Sequence, residues 1–147
     1  GTRSVSEMDD GEIRQAMTAL ETYNQQLESL GRQVQILRAS MDDAVRARET
    51  LKALKDAEAG DDVLLPIGAS SFVNVKISDD TRVITNVGSR VSVEKTIDEA
   101  LAYTVETGDE CSSMLNTAIA TMRDIEALVN EVTAAVQDEY RNRQMTH

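Results

Sequence analysis

Few residues in this chain of 147 could do covalent or acid–base chemistry. The one histidine, His147, is the last residue. The one cysteine, Cys111, falls on an apolar heptad position, where a thiol packs as a small hydrophobe instead of standing exposed as a nucleophile. Carboxylates adjoin at Asp61-Asp62 and Asp79-Asp80, but neighbours on a turn do not face each other across a substrate. No His/Cys cluster has metal-ligand spacing. The stretches "GASS" at 68–71 and "NVGS" at 86–89 carry glycine but lack the lysine of a phosphate-cradling loop. These residue types point away from an enzyme and away from a bound metal or cofactor. Binding is what remains.

Charge narrows the partners. The formal net charge is −11, which disfavours nucleic acid and anionic membrane surfaces. It is unevenly spread: residues 97–147 carry ten acids against three bases. An outer face of that kind confers solubility, suits a salt-rich cytoplasm, or steers and repels a partner. A single cysteine permits no intrachain disulfide and fits a reducing cytosol. There is no secretory apolar core and no apolar run of about 18 residues. The expected location is cytoplasmic.

The elements that would position a binding surface are long helices. From Ile13, alternate steps of three and four reach Ala16, Leu20, Tyr23, Leu27, Leu30, Val34, Leu37, Met41, Ala44, Arg48 and Leu51. Only Arg48 is charged, and no proline intervenes. This is the seam of a coiled-coil helix. Gly31 lies outside the seam and costs about 1 kcal/mol of helix stability. The same stepping from Ile97 gives Leu101, Thr104, Gly108, Cys111, Leu115, Ala118, Met122, Ile125, Val129, Val132, Val136 and then Glu139. The register survives "TGDE" at 107–110, so the helix is expected to continue through it. Thr96 with Glu99 forms a capping box at its start. The windows 12–58 and 97–143 each hold 47 residues, about 70 Å of helix apiece. Matched lengths predict an antiparallel pair, with flexible tails at 1–11 and 144–147. A lone pair buries one stripe per helix, so the connector or other subunits must add order.

The connector, 59–96, holds the chain's only proline and only phenylalanine. Gly60 suits a left-handed helix end, and Asp61-Asp62 begin a turn. Four β-prone runs follow, at 63–67, 71–77, 82–87 and 91–95, with a hairpin turn expected at "ISDDTR" (77–82) and a reversal at "NVGSR" (86–90). Pro66 limits its strand to a sheet edge. Short strands with a thin apolar face are marginal alone, and their open edges invite pairing with another chain. The expected fold class is therefore α+β: a long antiparallel two-helix coiled coil with two central β hairpins that join an intersubunit β barrel. The hub set is Val63, Leu65, Pro66, Ile67, Phe72, Val73, Val75, Ile77, Val83, Ile84, Val87, Val91 and Val93.

This layout resembles the archaeal prefoldin family, and specifically its alpha type. The resemblance rests on "LLPIGASSFVNVKI" at 64–77 and "VITNVGSRVSVEKTIDEAL" at 83–101, with Leu65, Pro66, Gly68, Phe72, Val87, Gly88, Val93, Glu94, Lys95 and Ala100 as matching positions. It spans roughly residues 12–142, and the second hairpin places the chain on the alpha side. The resemblance implies an ATP-independent holdase of two alpha and four beta subunits. Such a complex joins its hairpins in β barrels, captures unfolded proteins on its coiled coils and delivers them to a group II chaperonin. The chain departs from the family in its acidity and in having only four lysines.

Unfolded clients offer scattered apolar segments, which a flexible, Met-bearing surface accommodates better than a rigid pocket. Candidates for that contact are Val5, Met8, Met17, Leu20, Val136, Tyr140 and Met145. Several weak contacts add by avidity and permit release without nucleotide energy. Two alternatives stand beside this reading, and the second fits the residues equally well without the resemblance. One is a structural or tethering coiled-coil subunit that binds a single folded partner. The other is a regulator whose β hub binds one defined protein.

Overall fold

The computed structural model describes residues 8–145. Its elements are α1 (Asp10–Asp56), β1 (Asp62–Gly68), β2 (Ser71–Lys76), β3 (Val83–Gly88), β4 (Val91–Lys95) and α2 (Ile97–Met145). They form two compact units. One joins α1 through Ile36 to α2 from Met114 onward; the other runs from Leu37 to Ser113.

Each helix starts where a side chain satisfies its free amides. Asp9 Oδ1 accepts the Glu12 N–H at 2.7 Å, and Asp10 and Glu12 add negative charge in the first turn of α1. Thr96 Oγ1 accepts the Glu99 N–H at 3.1 Å. Glu99 closes this cap by accepting from the Thr96 hydroxyl, where a standard capping box would engage the Thr96 amide. α2 runs unbroken through Gly108. A methyl group there would stand 3.8 Å from the Ala44 Cβ, an ordinary contact, so this glycine reflects no steric demand.

In both units the helices run antiparallel. Arg143 reaches Asp10 in the first, and Lys55 reaches Asp98 in the second. The named seam residues Ile13, Leu27, Leu30, Val34, Leu37, Met41, Leu51, Ile97, Leu101, Cys111, Leu115, Met122, Ile125, Val129 and Val132 are all buried or half-buried.

α1 ends at Asp56, and Gly60 turns the chain at φ +90°. Its N–H donates to the Ile77 carbonyl at 2.8 Å, while the Ile77 N–H donates to Asp61 at 2.9 Å. The helix end is thereby stitched onto the first hairpin.

The four strands form two separate two-stranded antiparallel sheets, β1–β2 and β3–β4. Residues 77–82 therefore link two hairpins instead of turning one, which corrects the expectation for that segment. Asp and Ser signals made it look like a hairpin turn, but there they serve the linker itself: Thr81 donates to the Ser78 carbonyl at 2.8 Å, and the Ser78 hydroxyl donates to Asp80. That bond, first, holds the Asp80 carboxyl below its ordinary range.

The hairpins repeat one frame at a spacing of 20 residues. Val63 pairs with Val75, Leu65 with Val73 and Pro66 with Phe72; Val83 pairs with Lys95, Thr85 with Val93 and Asn86 with Ser92. Each has an irregularity before its glycine, at Ile67 and Val87. Each turns through two left-handed residues, Ala69 and Ser70 (φ 51° and 56°) or Ser89 and Arg90 (φ 49° and 62°). Such two-residue turns favour Asn-Gly, because other L residues are strained there. Replacing Ala69-Ser70 with Asn-Gly is therefore expected to stabilise the chain by about 1 kcal/mol in urea denaturation followed by circular dichroism. Loss of stability would contradict the turn geometry.

Candidate binding surfaces

The pleat sorts each hairpin into two faces. In the first, Val63, Leu65 and Val75 are half-buried on one face, while Leu64, Pro66, Phe72, Asn74 and Lys76 are exposed on the other. In the second, Val83, Thr85 and Lys95 are half-buried, while Ile84, Asn86, Ser92 and Glu94 are exposed. Ile84, at 75 % exposure, is barely covered by its own chain. Of the remaining hub residues, Ile77 is half-buried, and Ile67, Val73, Val87, Val91 and Val93 are exposed. The sequence reading passed over Leu64, which joins this bare face; its alternation with Val63 and Leu65 was the available signal.

Each sheet has only two strands, so each strand has one unpaired edge. Polar side chains share the bare faces, Asn74 on the first and Asn86, Ser92 and Glu94 on the second. Lys76 Nζ lies 3.5 Å from Asp62, an exposed pair of small energetic weight. Where β4 meets α2, Lys95 Nζ stands 3.6 Å from the centre of the Tyr103 ring. Lys55 Nζ reaches Asp98 at 2.9 Å, and this hydrogen bond holds its ammonium above the ordinary range. An open groove in this unit is lined by Ala44, Ala47 and Leu51 of α1, Pro66 and Ile84 of the hairpins, and Tyr103 of α2.

The first unit carries the other candidates. Met17, Tyr140 and Met145 are exposed. Met8 and Leu20 are half-buried. Val136 is only 6 % exposed, so it belongs to the helix seam and offers no surface to a client. Val5 lies outside the described residues. Ile36, Met114 and Leu128 are also exposed, and sequence reasoning missed them because they stand off the seam without extending it.

Sequence reasoning also missed a polar cluster where α1 begins and α2 finishes. Glu139 is buried at the last seam step. Its Oε1 accepts from Arg143 Nε at 2.9 Å, and its Oε2 accepts the Met8 N–H at 3.0 Å. Arg143 also donates to the Met8 carbonyl and to Asp10 Oδ1, both at 3.0 Å. Glu139 first, and then Asp10, hold the guanidinium pKa above its ordinary value. The signal was a Glu on the seam with an Arg four residues later.

Among the described residues, no group of His, Cys, Asp and Glu could hold a metal ion. Among them too, no helix is long and apolar enough to cross a membrane.

Two antiparallel helices and two β hairpins with exposed outer faces define a helix–hairpin class of protein. Comparison with known proteins gives the family. Residues 23–142 match the prefoldin subunit family. A prefoldin subunit alpha from Methanoregula boonei is 31 % identical over 134 residues, covering 91 % of this chain and 87 % of that one. The prefoldin subunit alpha of Methanopyrus kandleri is 46 % identical over 66 residues, covering 45 % of this chain and 42 % of that one. A filamentous PFD from Methanocaldococcus jannaschii, solved by cryo-EM, superposes with a TM-score of 0.62 at 26 % identity, covering 80 % of this chain and 97 % of that one. The chain belongs to the prefoldin family, with the two-hairpin architecture of the archaeal alpha type. It is thus a chaperone subunit, whose work is binding and not catalysis.

Burial separates two leucines that composition cannot. Leu51 is 7 % exposed and Leu64 is 64 % exposed. Leu51→Ala is expected to cost about 2–4 kcal/mol in urea denaturation of the isolated chain. Leu64→Ala is expected to cost less than about 0.5 kcal/mol. Equal losses would contradict this assignment of faces.

Proposed function

We propose that this chain is the alpha-type subunit of an ATP-independent holdase. Its hairpins join those of beta-type subunits in a closed β assembly, two alpha with four beta. The helix pair captures unfolded proteins, and the complex delivers them to a group II chaperonin in the cytoplasm. One observation carries the reading: the bare face around Leu64, Pro66, Phe72 and Ile84, which its own chain leaves uncovered. Apolar β faces with unpaired edges are sites at which another chain binds. Barrel closure removes edge and face together.

Capture is assigned to the exposed side chains of the first unit, foremost Met17, Tyr140 and Met145. Met fits irregular apolar partners, and Tyr adds a ring with a polar tip. Weak contacts repeated over several subunits hold a client by avidity and release it without nucleotide hydrolysis. The acidic outer face of α2 keeps the loaded complex soluble.

The purified complex is expected to suppress aggregation of several unrelated denatured proteins at near-stoichiometric amounts, as measured by light scattering. Replacing both Met17 and Tyr140 with Ser should weaken suppression severalfold while the native mass of the complex is unchanged. Absence of suppression, together with one tight folded partner, would favour a tethering subunit. Loss of assembly in the double variant would move these residues from client surface to core.

A further inference from the structure

The helix seam of the first unit ends on a charge. Glu139 occupies the step after Val136 and is 6 % exposed. A buried carboxylate is tolerated only when its charge and lone pairs are met. Glu139 meets them with Arg143 and with the main chain of Met8. Arg143 completes the arrangement by donating Nη2 to the Met8 carbonyl, while Asp10 fixes the guanidinium through Nη1.

The acidic and basic members thus take the N–H and the C=O of one residue. In extended backbone these two groups project to the same side, and a facing residue in an antiparallel ladder engages both. The Glu139–Arg143 pair supplies the same acceptor and donor from side chains. Both bonds use main-chain atoms of Met8, and every residue except proline offers that pair of groups. Folded proteins have theirs already bonded, whereas unfolded chains present them to solvent.

We infer that Glu139 and Arg143 form a clamp for extended polypeptide main chain, occupied by the chain's own Met8, at which a segment of unfolded client exchanges with Met8. This rests on the holdase reading and deepens it. Apolar contacts select clients by side chain; the clamp selects them by being unfolded. Tyr140, adjacent in sequence and exposed, supplies a side-chain contact next to the clamp. Met8 is a tethered competitor, so it lowers apparent affinity by the fraction of time it holds the site.

Met8→Pro tests this in the full chain, assembled with its beta-type partners. Proline removes the N–H that Glu139 accepts, and the position precedes the helix cap at Asp9, so α1 retains its start. The probe is a fluorescein-labelled, unstructured 15-residue peptide, read by anisotropy beside a copy N-methylated at every residue. Met8→Pro is expected to tighten the unmethylated peptide about tenfold, the lower end of what a hydrogen bond to a charged group supplies. The N-methylated peptide should gain nothing, and adding Arg143→Met should cancel the gain. Arg143→Met alone should weaken the unmethylated peptide and leave the N-methylated one unchanged, which is a second readout should Met8→Pro perturb assembly. Unchanged affinity in Met8→Pro, or equal gains for both peptides, would overturn the clamp. If the wild-type complex holds denatured clients while these variants change nothing, the clamp fails and the holdase reading stands. If neither peptide nor client binds any form, both fail.

Discussion

The constraint on which this structure depends is a shortage of bulk. The chain has one Phe, three Tyr and no Trp, and its apolar stock is otherwise aliphatic. Such side chains fill a narrow seam between two helices but cannot build a thick core. Among the described residues no large side chain is fully buried, and the best-buried apolar positions, such as Leu37, Leu51, Ala118 and Ile125, follow one stripe per helix. Little is left over to cover the outer faces of the hairpins. The bare β faces therefore follow from the same composition that makes the helices pair. The apolar surface left outside the seam is area whose burial by another chain would add stability.

The two hairpins answer that constraint with one frame and two chemistries. Their pairings, irregularities and left-handed turns coincide at a spacing of 20 residues. Yet Pro66 and Phe72 in the first become Asn86 and Ser92 in the second, and Asn74 becomes Glu94. The first bare face is the more apolar and the second mixes Ile84 with polar neighbours. A repeated backbone thus presents unlike surfaces, and specificity comes from differences in side-chain complementarity and not from the frame.

Much of this was legible in the sequence, and the failures have physical causes. Helical periodicity persisted across Gly108 because one glycine costs little beside a seam this long. The Thr96 cap stood out because Glu99 follows at the right spacing. The first hairpin turn was harder. It uses Ala69 and Ser70 in a conformation that statistics assign to Asn and Gly, whereas the stronger turn residues, Ser78 to Asp80, serve the linker. Val136 and Tyr140 lie four residues apart and both suit an apolar contact, but only three-dimensional burial separates the seam residue from the exposed one. The Glu139–Arg143 cluster was visible only as a break in apolar stepping, because its chief partner is the backbone of Met8, which no side-chain pattern records.

The central claim is that the hairpin edges and bare faces are completed by other subunits. Hydrogen exchange at the amides of β1 to β4, compared between the isolated chain and its complex with beta-type partners, tests it most directly. Complexation is expected to slow exchange at outward-pointing edge amides and leave the seam amides of α1 and α2 little changed. Equal exchange at the hairpins in both states, with new protection confined to the helices, would contradict the account.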